Sequence, residues 1–233
     1  MKMKNRLTSV LIFGFSIAAW SQQSAPPPVA PAESGPTLAA TMQYIQEKLS
    51  EQGKVGWAET FSNRPGWTQR EFVIHSDVMA DPAACALYTT GTVDIIVDLP
   101  QGKTFSIGGK PVTADDLRTH IVEMDTFFFK QIEKVTVEKQ QDMANQAFVE
   151  AAHPEITVTV TPPVFAVKLW ASTAVFSSHT STTKGNQPPV EKDAATKTNG
   201  LFFRDEDTAN RVAKAMTHAM QLCGGGVTKK ELF

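Results

Sequence analysis

The chain has 233 residues, 42% of them hydrophobic and 20% charged, with 22 Lys and Arg against 24 Asp and Glu. The balance is too even, and the basic residues too scattered, for nucleic acid or an anionic membrane to be the main partner, since both need a concentrated basic surface. Beyond the N-terminus no segment is apolar enough for long enough to span a bilayer, so no membrane span is expected in the mature chain.

The first 21 residues carry the three parts of a secretory signal peptide. Lys2, Lys4 and Arg6 form a positive start, and Leu7 to Trp20 is uncharged and mostly apolar. Ala19 and Ser21 place small residues at the −3 and −1 positions, which predicts cleavage before Gln22. The polar run from Ser21 onward leaves the apolar segment shorter than the roughly 20 residues of a membrane anchor. The mature protein is therefore expected to be periplasmic or secreted. Residues 22–36 are rich in Pro, Ala and Ser and predict a disordered tether. Residues 37–226 are expected to form one domain, and 227–233 a tail.

A helix is predicted from Leu38 to Gln52. Thr37 suits the N-cap, Leu38, Met42, Ile45 and Leu49 share one face, and Gly53 suits the stop. Strands follow at Val55–Phe61 and Arg70–Val78, separated by the turn Asn63-Arg64-Pro65-Gly66. On the second, Phe72 and Ile74 fall on one face, Val73 and His75 on the other. Asp81-Pro82 marks a turn, and Cys85–Thr90 and Val93–Leu99 read as two strands. The Gly108-Gly109 pair predicts a hairpin, and Thr113 to Asp116 a capped turn. Aromatic and β-branched residues favour strands over Ile121–Val137. Gln140–Ala152 reads as a short helix. Ile156–Val160 and Val164–Trp170 alternate as strands. Thr173–Asn199, polar and broken by Pro188-Pro189, is expected to be a long mobile loop, and Leu201–Phe203 one more strand. The last helix has Asp205 as N-cap and an apolar stripe of Ala209, Val212, Ala213, Met216, Ala219, Met220 and Cys223, ending at Gly224-Gly225-Gly226.

This order predicts an α+β domain. Its antiparallel sheet is curved, or closes into a small half-open barrel of pleckstrin-homology-like outline, and is capped by the C-terminal helix, with a further helix at the N-terminus. The outline is an analogy of fold and does not fix function. In an exported chain the two cysteines, Cys85 and Cys223, predict a disulfide that pins the last helix to the sheet.

The segments Thr41 to Val55, Asp81 to Cys85 and Arg211 to Gly225 resemble a group of exported bacterial proteins with no assigned activity. The resemblance covers a minority of the domain at its two ends. It implies export, one domain and the cysteine pair, and no catalytic residues.

Catalytic and cofactor motifs are missing from the sequence. His75, His120, His153, His179 and His218 are scattered, without the spacing of a zinc site. There is no G-x-S-x-G elbow. Asp205, Glu206 and Asp207 fail the calcium-loop pattern, because Asn210 and Met216 stand where Gly and Glu are needed. Phe127-Phe128-Phe129 is either core or a partner-binding patch. The expectation is a non-catalytic exported binding domain, without cofactor, for a protein, peptide or apolar small molecule. The alternative is a hydrolase with a dispersed site, which would need groups such as His75, His120 or His218 to converge with a hydroxyl or carboxylate in one cleft.

Overall fold

The computed structural model describes residues 35–52, 54–100 and 105–226. The expected signal peptide, nearly all of the tether, the stop at Gly53 and the tail lie outside the described residues. Helix α1 (Leu38–Gln52) leads into β1 (Lys54–Phe61), β2 (Thr68–Asp81) and β3 (Ala86–Asp98). The hairpin β4 (Phe105–Ile107) and β5 (Lys110–Val112) follows, then β6 (Thr119–Phe128), β7 (Lys134–Lys139) and α2 (Gln140–Glu150). The chain continues through β8 (Val158–Thr161), β9 (Phe165–Trp170), β10 (Phe176–Lys184), β11 (Val190–Thr196) and β12 (Thr198–Phe203) to α3 (Glu206–Leu222).

The class is α+β with antiparallel sheets, as expected. Seven strands form a large sheet in the order β11-β10-β6-β3-β2-β1-β8, and β12-β9-β7 form a small one. Of the two architectures expected, the open curved sheet describes it, and no closed barrel forms among the described residues. α2 seals the β8 edge: Asn145 Oδ1 accepts from the Val158 N–H at 2.7 Å, and Asn145 Nδ2 donates to the Val158 carbonyl at 3.2 Å.

Two strand expectations are corrected. Cys85–Thr90 and Val93–Leu99 are one strand, β3. The Gly91-Thr92 step resembles a break because Gly91 lies where β2 bulges between His75 and Asp77. A Cβ on Gly91 would come within 2.4 Å of the Ile74 carbonyl oxygen, so only glycine lets the two backbones meet there. The expected long loop at 173–199 is a hairpin, β10–β11, which extends the large sheet from β6. Its strands are mostly Ser, Thr, Lys and Asp with both faces wet, so they lack the apolar alternation that marks a half-buried strand. Phe176, 1% exposed, is its anchor in the core.

One core joins Leu87, Phe127 and Phe176 on the inner face of the large sheet to α1, α3 and the inner side of the small sheet. α1 and α3 pack together through Met42, Ile45 and Leu49 on one helix and Ala209, Val212, Met216 and Ala219 on the other. Both N-caps are as expected: Thr37 Oγ1 accepts from the Ala40 N–H at 3.3 Å, and Asp205 Oδ1 from the Thr208 N–H at 2.7 Å. A second core gathers Val55, Trp57, Val73, Val158, Val160 and Val164.

Cys85 occupies the turn before β3, and Cys223 follows the last turn of α3. Their sulfur atoms are at bonding distance, with Cα atoms 5.9 Å apart. The bridge closes a separation of 138 residues, for which loop-closure entropy gives a ceiling of about 5 kcal/mol. Replacing Cys223 with Ala should lower the free energy of unfolding by about 2–5 kcal/mol. Urea unfolding of the oxidised protein and the variant measures this. Equal midpoints would show that the bond contributes nothing to holding α3.

Candidate functional site

Acidic residues fall in phase with core residues on the inner face of the large sheet. Alternation puts Glu71 beside Val73 and His75 on β2, and Glu123 and Asp125 beside Phe127 on β6. On β1, Trp57 stands opposite Glu71, and Glu59 follows two residues on. The facing wall is the small sheet, where β12 turns Thr198, Gly200 and Phe202 toward this surface. The Phe202 ring lies on Trp57 with centroids 5.1 Å apart. A cleft of about 420 Å³ remains between the two walls, bordered also by Met143 of α2 and Lys168 of β9. A larger groove, about 680 Å³, runs along α2. Its acidic residues are interspersed with Lys139 and Lys168, and Lys168 Nζ lies 3.4 Å from Glu138.

The four carboxylates differ in how they are satisfied. Glu59 is 6% exposed and accepts from Trp57 Nε1 at 3.0 Å and Gln140 Nε2 at 3.1 Å, so its acceptor is built into the wall. Glu71 accepts from Gln69 Nε2. Burial, reinforced by the negative charge of Glu59, pushes the Glu71 carboxyl up to about 7 against that hydrogen bond. Burial also raises Glu123, with Asp125 adding repulsion. Asp125 is raised by burial and partly restored by hydrogen bonds from Ser178 and Asn199. Among the described residues no Lys, Arg or His forms an ion pair with Glu71, Glu123 or Asp125. Lys168 borders the cleft, but Glu138 and the Trp170 ring, 4.3 Å from its Nζ, engage its ammonium.

Gly200 lines the cleft. It sits within β12 without the positive φ that would require glycine, and a Cβ there would meet nothing within 4 Å. Glycine inside a strand costs roughly 0.5–1 kcal/mol relative to alanine. Such a glycine often marks a place where a ligand or another backbone comes close.

The residues singled out from sequence are dispersed. Phe127 and Phe129 are each 1% exposed and belong to the core, while Phe128 points to the opposite face, half-buried opposite Ala86. The expected partner-binding patch at Phe127, Phe128 and Phe129 is therefore corrected, because period-2 alternation and the short turn after β6 carry its first and last rings inward. His120 lies on the outer face, with Nδ1 2.8 Å from Asp94. His218 Nε2 is 2.9 Å from the Pro36 carbonyl oxygen. His75 is on the inner face, in one row with Gly91 and Glu123. Burial lowers its pKa, and its Nε2 has no hydrogen-bond partner. The three histidines do not converge. Glu71, Glu123, Asp125 and Gly200 were missed in the sequence because each resembles ordinary strand polarity. The usable signal was their phase, an even number of residues from Val73, Phe127 and Phe202.

The chain matches no protein-family model, no curated protein and no solved structure.

The raised Glu71 carboxyl has a consequence for stability. The folded protein holds its proton up to about pH 7, whereas the unfolded chain releases it near 4.5. Stability from this group is therefore complete below 4.5 and lost as pH rises through 7, a change on the order of 3 kcal/mol. Glu71→Gln should raise the unfolding free energy at pH 8 by about 1–3 kcal/mol and change it little at pH 4.5. Denaturant unfolding at both pH values tests this, and an equal effect at the two would refute the assignment.

Proposed function

We propose that this is an exported, non-catalytic binding domain, and that its binding site is the cleft between the large and small sheets. The observation that carries the reading is Gly200. A strand interior accepts a destabilising residue with no packing reason where it lines the cavity and a Cβ would meet open space. The cavity size is that of small-ligand sites, and its apolar and aromatic walls with a few directed polar groups have their composition. The paired cysteines and the signal-peptide pattern support an oxidising compartment, periplasmic or extracellular. No helix among the described residues is long and apolar enough to cross a membrane.

The cleft is tested by filling it. Gly200→Leu should fold with an unchanged or higher melting temperature, since leucine suits a strand better than glycine. A small-molecule extract of the protein's own compartment should raise the melting temperature of the wild type by several degrees and leave the variant unmoved. The same shift in both proteins would place the ligand elsewhere, and no shift in either would remove the support for a binding role.

Export is tested separately. N-terminal sequencing of the protein recovered outside the cytoplasm should begin at or within a few residues of Gln22. A retained Met1 on membrane-bound material contradicts it.

A further inference from the structure

We infer that the ligand of this cleft is a small organic cation, carrying an ammonium or guanidinium group on an apolar body. The inference rests on the reading of the cleft as the binding site and adds the chemical class of what it holds.

Three carboxylates, Glu71, Glu123 and Asp125, border one cavity without a cationic partner among the described residues. Taking a carboxylate out of water is unfavourable unless opposite charge or hydrogen bonds compensate it. Here the compensation is incomplete, and all three are held above their ordinary proton affinity, with burial as the leading cause. A bound cation would offset that penalty through charge-assisted hydrogen bonds at the carboxylates within its reach, first the neighbours Glu123 and Asp125 on β6. An anion would meet three carboxylates and a lysine already engaged by Glu138. A neutral ligand would leave the carboxylates as they are.

The walls select the kind of cation. Phe202, backed by the buried Trp57 ring, offers aromatic surface, which attracts cations and packs on apolar groups. Val73 and Val93 extend the apolar lining. A bare metal ion is a poor match, because it needs ligands converging on one point. Among the described residues no three His, Cys, Asp or Glu are grouped closely enough to hold one. The open space at Gly200 gives a molecular body room next to Phe202.

Three probes with the same ring and different charge test the class: benzylammonium chloride, benzyl alcohol and sodium benzoate. Each is titrated into isotope-labelled mature protein at pH 7.5 and followed by NMR. Benzylammonium should shift the Trp57 indole N–H and the backbone amides of residues 198–202. It should bind at least tenfold more tightly than benzyl alcohol, and benzoate should leave those signals unmoved. Glu123→Gln and Asp125→Asn should each weaken benzylammonium tenfold or more without lowering the melting temperature, and Gly200→Leu should abolish its shifts. Benzyl alcohol or benzoate binding in the cleft as tightly as benzylammonium would overturn the cationic class while leaving the cleft a binding site. If no probe shifts these signals, the cationic class fails. The extract experiment with Gly200→Leu then decides the binding role on its own.

Discussion

The inner face of the large sheet is longer than either layer that covers it, and the rest of the molecule follows from this mismatch. β2 and β3 have 14 and 13 residues, so each spans roughly 45 Å at the rise of a strand. Toward one end Leu87, Phe127 and Phe176 dock on the helix pair α1 and α3. Toward the other Val55, Trp57 and Val73 dock under the β8 region and Phe202 of the small sheet. The small sheet serves both regions. One of its faces packs on α3 through Val167, Leu169 and Leu201, and the other turns Gly200 and Phe202 toward the large sheet. The cleft is the part of that second contact where the walls do not meet. It requires no special loop, only two sheets that touch through Trp57 and Phe202 and diverge beside that contact.

The disulfide acts on the same geometry from the opposite end. Cys85 holds a left-handed backbone conformation, φ 52°, in the turn before β3, and its carbonyl accepts the Phe129 N–H at 2.9 Å. The end of α3 is joined there to a point where β3 and the chain leaving β6 already converge. Gly226 then donates to the Ile132 carbonyl at 3.0 Å, so the helix terminus is tied by both a covalent bond and a backbone hydrogen bond. With α3 fixed, the small sheet that packs on it is fixed too, and with it the distance between the walls of the cleft. A rigid scaffold of this kind is what a preformed binding site requires.

The helices were legible because their periodicity is a strong signal. Met42, Ile45 and Leu49 on α1, and the stripe from Ala209 to Met220 on α3, bury the faces their spacing demands. Strands with a conventional apolar face, such as β9, were legible for the same reason. Two things were not. The β10–β11 hairpin hides its structure because backbone pairing with β6, rather than burial of side chains, defines it. The cleft hides because single-sequence alternation cannot show which side of a strand is covered. Glu71 and Phe72 are neighbours, and the sequence invites the aromatic residue inward. The structure places Phe72 on the outer face, with Lys54 Nζ 3.8 Å from its ring centre, and turns Glu71 inward. Only the assembly of the two sheets distinguishes a buried carboxylate from a solvated one.

Two destabilising features share this cavity, and they are physically independent. Gly200 sacrifices strand stability through backbone entropy and missing side-chain contacts. The carboxylates sacrifice it through desolvation and mutual repulsion. Either could be relieved without disturbing the fold: a Cβ at Gly200 would meet open space, and a Gln at Glu71 would keep an acceptor for the Gln69 side chain. Sequences that must fold as they do usually agree with their structure at every level, and local departures concentrate where function requires them. A single departure would carry little weight. Here one keeps space free and the other keeps negative charge unmatched, and both face the same 420 Å³. A ligand that supplied volume and positive charge together would fill the space beside Gly200 and offset the carboxylate penalty in one binding event.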